Sequence, residues 1–473
     1  MPEGLPESIS LRLDPGTRRS DAGRTLIGGS PLRVVRVTDA GARIVDDLAD
    51  GAAIGDDRSR QRVARMLVDT GLAHPQPGDP HPASVTVVIP VRDHAGPLAT
   101  LLDVVAGSDG VEEVIVVDDG SHDPTAIDDV AAGRATVLRH DRSRGPAAAR
   151  NTGWRAATSE LVAFVDADVT PPQRWLAPLV AHFADPDVAA AAPRVRSRTD
   201  GSSMIDRYER ERSPLDLGPA PARVVPGGRV SYVPTATVLF RRHVLEALGG
   251  FDEALRFGED VDLVWRVAQE HTVRYEPAVE VVHDNRHDWS AVVRQRMQYG
   301  SSAAHLDQRH PGQVAPVDVN AWSLAAWAMA ALGGRTGRIA ALGTASVSAG
   351  LLWPTLRGRV DDPAAETVRL AGRGNLWAGR WLATATTRAW LPLALVAAVP
   401  SRRARRALAA AVVVPALLEW WERRPDLDPV TWTAARFVDD SAYCAGVWRG
   451  CAEVGTWRAI RPQLSGIPGL TDR

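Results

Sequence analysis

Acidic side chains in this 473-residue chain form three clusters, each of which follows an apolar run or a glycine-rich turn. The clusters are Asp118 with Asp119, Asp166 with Asp168, and Glu259 with Asp260. Carboxylates packed together repel one another unless a cation or hydrogen-bond donors offset their charge. A hard divalent cation with oxygen ligands, completed by a substrate diphosphate, suits such a group. The pattern therefore predicts a metal-assisted site for a phosphorylated substrate.

Asp166 and Asp168 have the spacing of two ligands for one ion. Alternate residues at the end of a strand point to the same side, so both carboxylates can reach one ion or its water. A solvated loop would also contain such a pair, but its place directly after the apolar run 161–165 favours the metal site. Asp118 and Asp119 also fit two interpretations: an Asx turn that ends a strand, or carboxylates that accept from the imide N–H of a uracil.

The elements that must position these residues alternate between strand and helix. Apolar, β-branched runs predict strands at 84–90, 113–117, 135–139 and 161–165, and helices are predicted between them at 97–105, 125–132 and 145–157. This alternation is typical of an α/β fold with a doubly wound, mostly parallel sheet. Ligands of such sheets bind at the carboxyl ends of the strands, which is where the acidic clusters are predicted.

The chain divides by composition into four parts. Residues 1–75 predict a small winged-helix-like α+β domain, and the proline-rich run 76–83 predicts a stiff linker. The α/β pattern covers 84–315, and residues 316–473 are rich in Ala, Trp and Leu and predict a helical C-terminal region.

Charge and cysteine content exclude several protein classes. The 55 basic residues are all arginines, and the net charge of −2 argues against a nucleic-acid binder. Two cysteines, Cys444 and Cys451, provide neither a disulfide framework nor a zinc cage. The first residues lack the pattern of a signal peptide, so we expect the chain to stay in the cytoplasm.

Two apolar stretches near the C-terminus raise the question of a membrane. Residues 390–400 and 408–421 flank Arg402, Arg403, Arg405 and Arg406, and no apolar run is expected to reach the ~20 residues of a membrane span. Apolar segments beside arginines and tryptophans fit a membrane interface, which would place the chain at the inner face of the cell membrane. A helical hairpin packed on the protein fits equally well.

Several motifs, taken in order, resemble the family 2 glycosyltransferases, which have the GT-A fold. The resemblance covers roughly 84–300 and rests on these segments: 88–90 (VIP), 117–121 (VDDGS), 145–153 (GPAAARNTG), 166–168 (DAD), 240–242 (FRR), 249–253 (GGFDE) and 258–266 (GEDVDLVWR). It implies a UDP-sugar donor, a bound Mg²⁺ or Mn²⁺, and inversion at the anomeric carbon.

The same resemblance assigns roles to individual residues. It implies that Asp260 is the general base, with Glu259 beside it, and this interpretation is favoured over the alternative of an acidic first turn that stabilises a helix. The implied donor-binding residues are Pro90, Arg92, Asp118, Asp119, Arg150 and Asp166. The implied metal ligands are Asp166, Asp168 and His283, and His283 fits a structural role equally well. The implied acceptor-binding residues are Trp265, Gln295, Gln298 and Tyr299.

Gln298 and Tyr299 stand where processive family members carry the arginine and tryptophan of a QxxRW signature. An aromatic ring can still stack on a sugar, so an acceptor role remains, but the departure puts strong processivity in doubt.

The first 75 residues resemble a PqqD-like domain, a fold that holds leader peptides. The segments that carry this resemblance are 11–14 (LRLD), 28–31 (GGSP), 40–48 and 70–72 (TGL). Together with a family 2 domain and a helical tail, it implies transfer of a hexose, with glucose expected, to a peptide-derived redox-cofactor precursor or its growing oligosaccharide. Two alternatives remain: an envelope glycosyltransferase with a lipid-linked acceptor, and a non-catalytic peptide-binding scaffold.

Overall fold

A computed structural model describes residues 4–76, 78, 82–198, 201–286 and 288–465. Part of the predicted linker, residues 77 and 79–81, lies outside the described residues. The chain forms two compact units. The first comprises Met1–Asp200 and Arg212–Asn285, and the second comprises Gly201–Glu211 and Arg286–Arg473.

The N-terminal part of the first unit is a small α+β module. Strand β1 (Ser10–Leu13) pairs antiparallel with β5 (Ala73–Gln76), and β2 (Arg18–Ser20), β3 (Thr25–Gly28) and β4 (Arg33–Arg36) form an antiparallel sheet. Helices α1 (Asp39–Ala49) and α2 (Arg58–Asp69) begin after the capping side chains of Thr38 and Asp57. A buried core that includes Leu26, Val45 and Leu67 joins strands to helices, so the module has its own interior.

A nine-stranded sheet forms the centre of the first unit. Its strands are β6 (Val85–Val91), β7 (Val111–Asp118), β8 (Thr136–Arg139), β9 (Leu161–Val165), β10 (Val169–Thr170), β11 (Val188–Ser197), β12 (Ala222–Arg223), β13 (Thr237–Arg241) and β14 (Thr272–His283). The order is β10-β14-β11-β13-β9-β6-β7-β8, with β12 paired to β14. Its helices are α3 (Ala95–Val105), α4 (Pro124–Ala131), α5 (Pro146–Ala156), α6 (Leu176–Val180), α8 (Arg242–Leu248) and α9 (Glu259–Glu270), with a 3₁₀ turn at Ala181–Ala184.

The α/β fold class predicted from the sequence is confirmed, and the sheet is mixed. Strands β9, β6, β7 and β8 are parallel to one another, as the alternating pattern predicts. Beyond β9 the direction reverses, because β13 pairs antiparallel with both β9 and β11. Strand β11 was missed because its first half is a run of alanines, which lacks the β-branched signal of a strand.

The second unit is largely helical, as predicted for the C-terminal region. It contains α7 (Met204–Arg212), α10 (Trp289–Arg309), α11 (Ala321–Leu332), α12 (Gly334–Leu356), α13 (Pro363–Arg388), α14 (Leu391–Ala398), α15 (Arg402–Arg423) and α16 (Pro429–Val454). A 3₁₀ turn at Arg458–Ile460 and a parallel pair, β15 (Asp318–Asn320) and β16 (Gln463–Ser465), complete it. Helices α10 and α16 pack with their backbones close together, since a Cβ at Gly446 would lie 2.0 Å from the Met297 carbonyl oxygen.

Helix α12 bears on the expectation that no apolar run reaches the length of a membrane span. By length and composition alone this helix could cross a membrane, and only 6% of its most apolar 18-residue stretch is buried. The sequence reading found no such run because glycine, serine and threonine interrupt the larger apolar residues of α12.

Candidate active site

The predicted donor-binding and metal-binding residues come together at the carboxyl edge of the parallel strands. Val91, at the end of β6, pairs with Asp118, at the end of β7, and Asp166 follows β9 directly. Helix α9 begins at Glu259. The Glu259 side chain accepts from Arg150, which also contacts Asp166.

Asp119 is fully occupied by its own chain. Its carboxylate accepts hydrogen bonds from His140 Nδ1 (2.7 Å), Ser143 Oγ (2.7 Å) and the backbone N–H groups of Arg144 (2.8 Å) and Gly145 (2.9 Å). Although burial alone would raise the pKa of Asp119, these donors hold it below its usual value. A carboxylate has about four acceptor positions, so Asp119 shapes the loop that leads into α5, and a uracil could bind it only by replacing a donor.

Asp118 is also held by its surroundings. It is completely buried and accepts from Arg139 Nε (2.9 Å) and from the backbone N–H of Ser121 (2.9 Å), which is the Asx turn weighed from the sequence. Gly120, inside this turn, has a left-handed φ of 73° and lies against the backbone of Ser143. The uracil contact expected of Asp118 stays a prediction.

Asp93 joins the loops after β6 and β7, a role that the sequence analysis missed. Its carboxylate accepts from the backbone N–H of His122 (2.7 Å) and contacts His122 Nδ1 (2.9 Å), while its own N–H donates to Ser121 Oγ (2.9 Å). The predicted donor-binding residues Pro90 and Arg92 lie at the end of β6 and just beyond it, with half of the Arg92 side chain exposed. An aspartate three residues after the strand predicted at 84–90 was the only available signal.

Arg150 connects two of the acidic clusters. Its buried guanidinium donates to Asp166 Oδ1 (2.7 Å) and to Glu259 Oε1 (3.0 Å). Burial disfavours its charge, but the neighbouring Asp166 and Glu259 outweigh that cost and raise the pKa of Arg150 above its usual value. One arginine therefore joins the Asp-x-Asp pair to the first turn of α9.

Glu259 and Asp260 begin α9 as adjacent acids in a poorly solvated place. Burial, with the neighbouring Asp260 adding to it, raises the pKa of Glu259 to about 7 even though Arg150 opposes the rise. Burial also raises the pKa of Asp260, whose Oδ1 accepts from the backbone N–H of Val261 (2.8 Å). Carboxyl groups with raised pKa values are suited to receiving a proton near neutral pH.

Asp168 and His283, two of the predicted metal ligands, lie close together. Strand β10 pairs with β14 so that Val169 lies opposite His283, and Asp168 Oδ2 is 3.6 Å from His283 Nε2. Burial raises the pKa of Asp168, and His283 counteracts part of that rise. Within the described ranges, no group of three His, Cys, Asp or Glu side chains is placed to hold a metal ion, so the role of Asp166 as a third ligand stays a prediction. A site with few protein ligands, in which a diphosphate fills the remaining positions, suits Mg²⁺ or Mn²⁺.

The glycine-rich turn before α9 is held by Asn151, which sequence reasoning noted only as part of a motif. Its amide donates to the carbonyl of Phe251 (2.9 Å) and to Glu253 Oε1 (2.9 Å), and its oxygen accepts from the N–H of Phe251 (2.9 Å). Arg266 holds the other side by donating to the carbonyls of Leu248 and Gly250. These contacts fix where α9 starts.

The predicted acceptor-binding residues lie in both units. Trp265 is buried on α9 in the first unit, and its indole N–H donates to the carbonyl of Ser231 (2.6 Å). Gln295, Gln298 and Tyr299 lie on α10 in the second unit, where the Gln295 amide donates to the Tyr299 hydroxyl (3.1 Å). Their acceptor role stays a prediction.

Comparison with known proteins gives a consistent assignment for most of the chain. Residues 86–249 match the family model described as Glycosyl transferase family 2. A protein of Mycobacterium tuberculosis named Pre-mycofactocin glycosyltransferase is 40% identical over 471 residues, which is 97% of this chain and 98% of that protein. Succinoglycan biosynthesis protein ExoU of Rhizobium meliloti is 30% identical over 234 residues, 46% of this chain and 65% of that one.

Among solved structures, a mannosyltransferase of Pyrobaculum calidifontis in complex with GDP-Man and Mn²⁺ is 24% identical. The match covers 78% of this chain and 89% of that one, with a TM-score of 0.44, which is too low to support an inference about this site.

Proposed function

Because this chain belongs to the family 2 glycosyltransferases and is a glycosyltransferase enzyme, we propose that it transfers a hexose from a UDP-sugar to pre-mycofactocin. The acceptor rests on the full-length similarity to the Pre-mycofactocin glycosyltransferase of Mycobacterium tuberculosis. Glucose is the proposed sugar, and the acceptor is the peptide-derived cofactor precursor or its growing oligosaccharide. The PqqD-like resemblance of the N-terminal module supports recognition of a peptide-derived partner.

The observation that carries this proposal is the link from Asp166 through Arg150 to Glu259, with Asp260 next along the helix. It joins the Asp-x-Asp pair, proposed to face the donor diphosphate, to the carboxylates proposed to face the acceptor. Asp168 and His283, with Asp166 nearby, are the residues that would hold a divalent ion, and such an ion would supply positive charge against the diphosphate. Mg²⁺ and Mn²⁺ are the proposed ions.

Asp260 is the proposed general base of an inverting transfer. Its carboxylate accepts the proton of the acceptor hydroxyl while that oxygen forms a bond to the anomeric carbon. The bond from the anomeric carbon to the diphosphate oxygen breaks at the same time, and UDP leaves with the electron pair. Attack from the face opposite UDP inverts the configuration at that carbon.

The test is transfer by the purified chain with a panel of UDP-sugars, with Mg²⁺, Mn²⁺ or a chelator. We expect UDP release and a gain of hexose mass on pre-mycofactocin with UDP-glucose and metal, and NMR of the product should show the β anomer. Failure to consume any UDP-sugar with either metal would favour the scaffold alternative. Equal activity in chelator would exclude the metal role.

A second partner is proposed from the second unit, where apolar helix faces are exposed together with arginines. Besides α12, large side chains on α13 to α15 are exposed, including Trp381, Val396 and Trp421. Arg402, Arg403, Arg405 and Arg406 project from the first turns of α15, and within the described part of the chain none of them pairs with an acid. Apolar and tryptophan-rich faces beside arginines fit a bilayer with anionic headgroups.

Flotation with vesicles tests this contact. We expect binding to phosphatidylglycerol vesicles, weaker binding to phosphatidylcholine alone, and a loss of binding in the double variant Arg402→Glu/Arg406→Glu. The matched control, Arg58→Glu/Arg62→Glu, makes the same charge change on α2 of the N-terminal module. Equal flotation of both variants would argue against contact at α15. Hexose transfer into the lipid fraction would favour the alternative of a lipid-linked acceptor.

A further inference from the structure

The segment that links β12 to β13, residues 224–236, contacts three parts of the first unit; we name it the bridging loop. Sequence analysis assigned it no role. It leaves β12 with the N–H of Val224 donating to the carbonyl of Val273 (2.9 Å) and turns through Gly227, which has a left-handed φ of 73°.

One end of the bridging loop is fixed to the N-terminal module. The guanidinium of Arg229 donates to both oxygens of Asp14, at 2.8 and 3.1 Å, and the backbone N–H of Arg229 donates to Ser30 Oγ. Asp14 is 2% exposed and also contacts His74 Nε2 (2.9 Å). Burial alone would raise the pKa of Asp14, but His74 and Arg229 hold it well below its usual range. A bidentate arginine on a buried carboxylate is a strong and geometrically specific contact.

The same loop contacts the candidate active site at two points. The carbonyl of Ser231 accepts from the indole of Trp265, which lies on α9 less than two turns from Asp260. The carbonyl of Ala236 accepts from the backbone N–H of Asp166 (2.9 Å). Between these points, Val233 and Thr235 are buried. A shift of the loop at Arg229 therefore acts on both the helix of the proposed base and the Asp-x-Asp strand end.

We propose that Arg229 is a positioning residue: anchored on Asp14 of the N-terminal module, it holds the bridging loop and thereby sets α9 and Asp166 for transfer. The module is then part of the catalytic framework as well as a recognition domain. This inference rests on the proposed function for its effect on transfer, while its structural part concerns the loop alone. Displacement of reacting groups by about 1 Å can cost up to ~100-fold in rate.

The chain offers a matched control for this pair. Arg65 of the same module donates to both oxygens of Asp185 at 3.0 Å, and neither residue belongs to the bridging loop. Arg229→Met and Arg65→Met therefore each remove one bidentate contact between the module and the rest of the first unit, and Arg65→Met also removes an ion pair with Asp187 (3.2 Å). A role limited to holding the module in place predicts the same outcome for both variants.

Hydrogen exchange of the full chain is the first measurement, because it does not depend on activity. In Arg229→Met we expect amide exchange to rise at least ~10-fold in residues 230–236 and in the first turns of α9. In Arg65→Met, exchange there should stay at the wild-type rate. Unchanged exchange in α9 of Arg229→Met would overturn the proposal, as would an equal rise in both variants.

Activity is the second measurement. The ratio of hexose transfer to UDP release without acceptor should fall on the order of 10-fold in Arg229→Met and stay within about 2-fold of wild type in Arg65→Met. Arg229→Lys should recover part of the ratio. Asp14→Asn added to Arg229→Met should lower the ratio little further, because the bridging loop has then already lost its contact with Asp14. Equal ratios in the two methionine variants would overturn the positioning role. A wild type that transfers no hexose would contradict the proposed function. In that case the hydrogen-exchange result still decides whether Arg229 positions α9.

Discussion

The two aspartate pairs that follow β7 and β9 differ in how many donors the protein supplies to them. Asp119 accepts four hydrogen bonds and Asp118 accepts two, so the pair after β7 is satisfied by its own chain. Asp166 accepts from Arg150, and Asp168 has His283 at 3.6 Å, beyond hydrogen-bond distance. Aspartates at the same edge of one sheet thus differ in how many hydrogen bonds they accept from the protein.

This difference has an energetic signature. Removing charge from a carboxylate that accepts several donors loses charge-assisted hydrogen bonds and destabilises the fold. Removing charge from a desolvated carboxylate with few donors relieves a cost of folding and impairs only ligand binding or chemistry. The pair after β7 should therefore contribute to the stability of the fold. The pair after β9, with Asp260, should contribute to the reaction.

The largest expected effect comes from Asp260→Asn. If Asp260 takes the proton of the acceptor, hexose transfer should fall about 1,000-fold, because an amide cannot act as a base at neutral pH. Thermal stability should be unchanged or slightly higher, since burial already disfavours the charged carboxylate. Initial rates of transfer, with Asp109→Asn on the exposed surface as control, measure this. Wild-type rates in Asp260→Asn would remove it from the chemistry.

Asp119→Asn against Asp168→Asn tests the comparison directly. Asp119→Asn should lower the free energy of unfolding by about 3 kcal/mol, because the new NH₂ group faces donors instead of accepting from them. Asp168→Asn should be neutral or stabilising, because burial raises the pKa of its carboxyl. Its activation by Mn²⁺ should nonetheless be weakened.

Urea unfolding of both variants gives the two free energies of unfolding. Titration of activity with Mn²⁺ measures how far Asp168→Asn weakens activation by the metal. If Asp168→Asn proved the more destabilising variant, the division between a structural and a reactive pair would be wrong.

The sequence could predict where both pairs lie but not how they differ. An apolar run followed by aspartates is a local pattern, and the parallel order of β6, β7 and β9 brings such strand ends together. The donors to Asp119 come from residues 140–145, more than 20 positions along the chain, and no local pattern signals that pairing. The Arg229–Asp14 contact, across 215 positions, was invisible for the same reason.

Two features that the sequence analysis missed have a diluted signal. Alanines hid β11, and small polar residues hid the apolar length of α12. Both segments are defined by what surrounds them: strands on either side for β11, and exposure of its faces for α12. The local amino-acid composition of a segment indicates neither its neighbouring strands nor its exposure.

Arg150→Lys tests the role of the guanidinium that links two of the acidic clusters. A lysine keeps the charge but cannot direct two planar N–H groups at Asp166 and Glu259 together, so transfer should fall on the order of 10- to 30-fold. The KM for the UDP-sugar and kcat should both change, because the link reaches both acidic clusters. Steady-state kinetics measure this, with Arg155→Lys on the exposed side of α5 as the control. A loss confined to stability would place Arg150 with the structural pair.

Glu259→Gln gives the smallest expected effect, a change in how stability depends on pH. The pKa of Glu259 is 4.5 as a free side chain and about 7 in the fold. Between these values the folded state holds a proton that the unfolded state has released, so stability falls as pH rises from about 4.5 to about 7. One proton contributes at most about 1.4 kcal/mol per pH unit. Urea unfolding at pH 5, 6 and 7 should show a shallower fall in Glu259→Gln than in wild type, because glutamine does not titrate. Parallel curves would mean that Arg150 keeps Glu259 ionised, and Glu259 would then belong with the satisfied carboxylates after β7 rather than with Asp260.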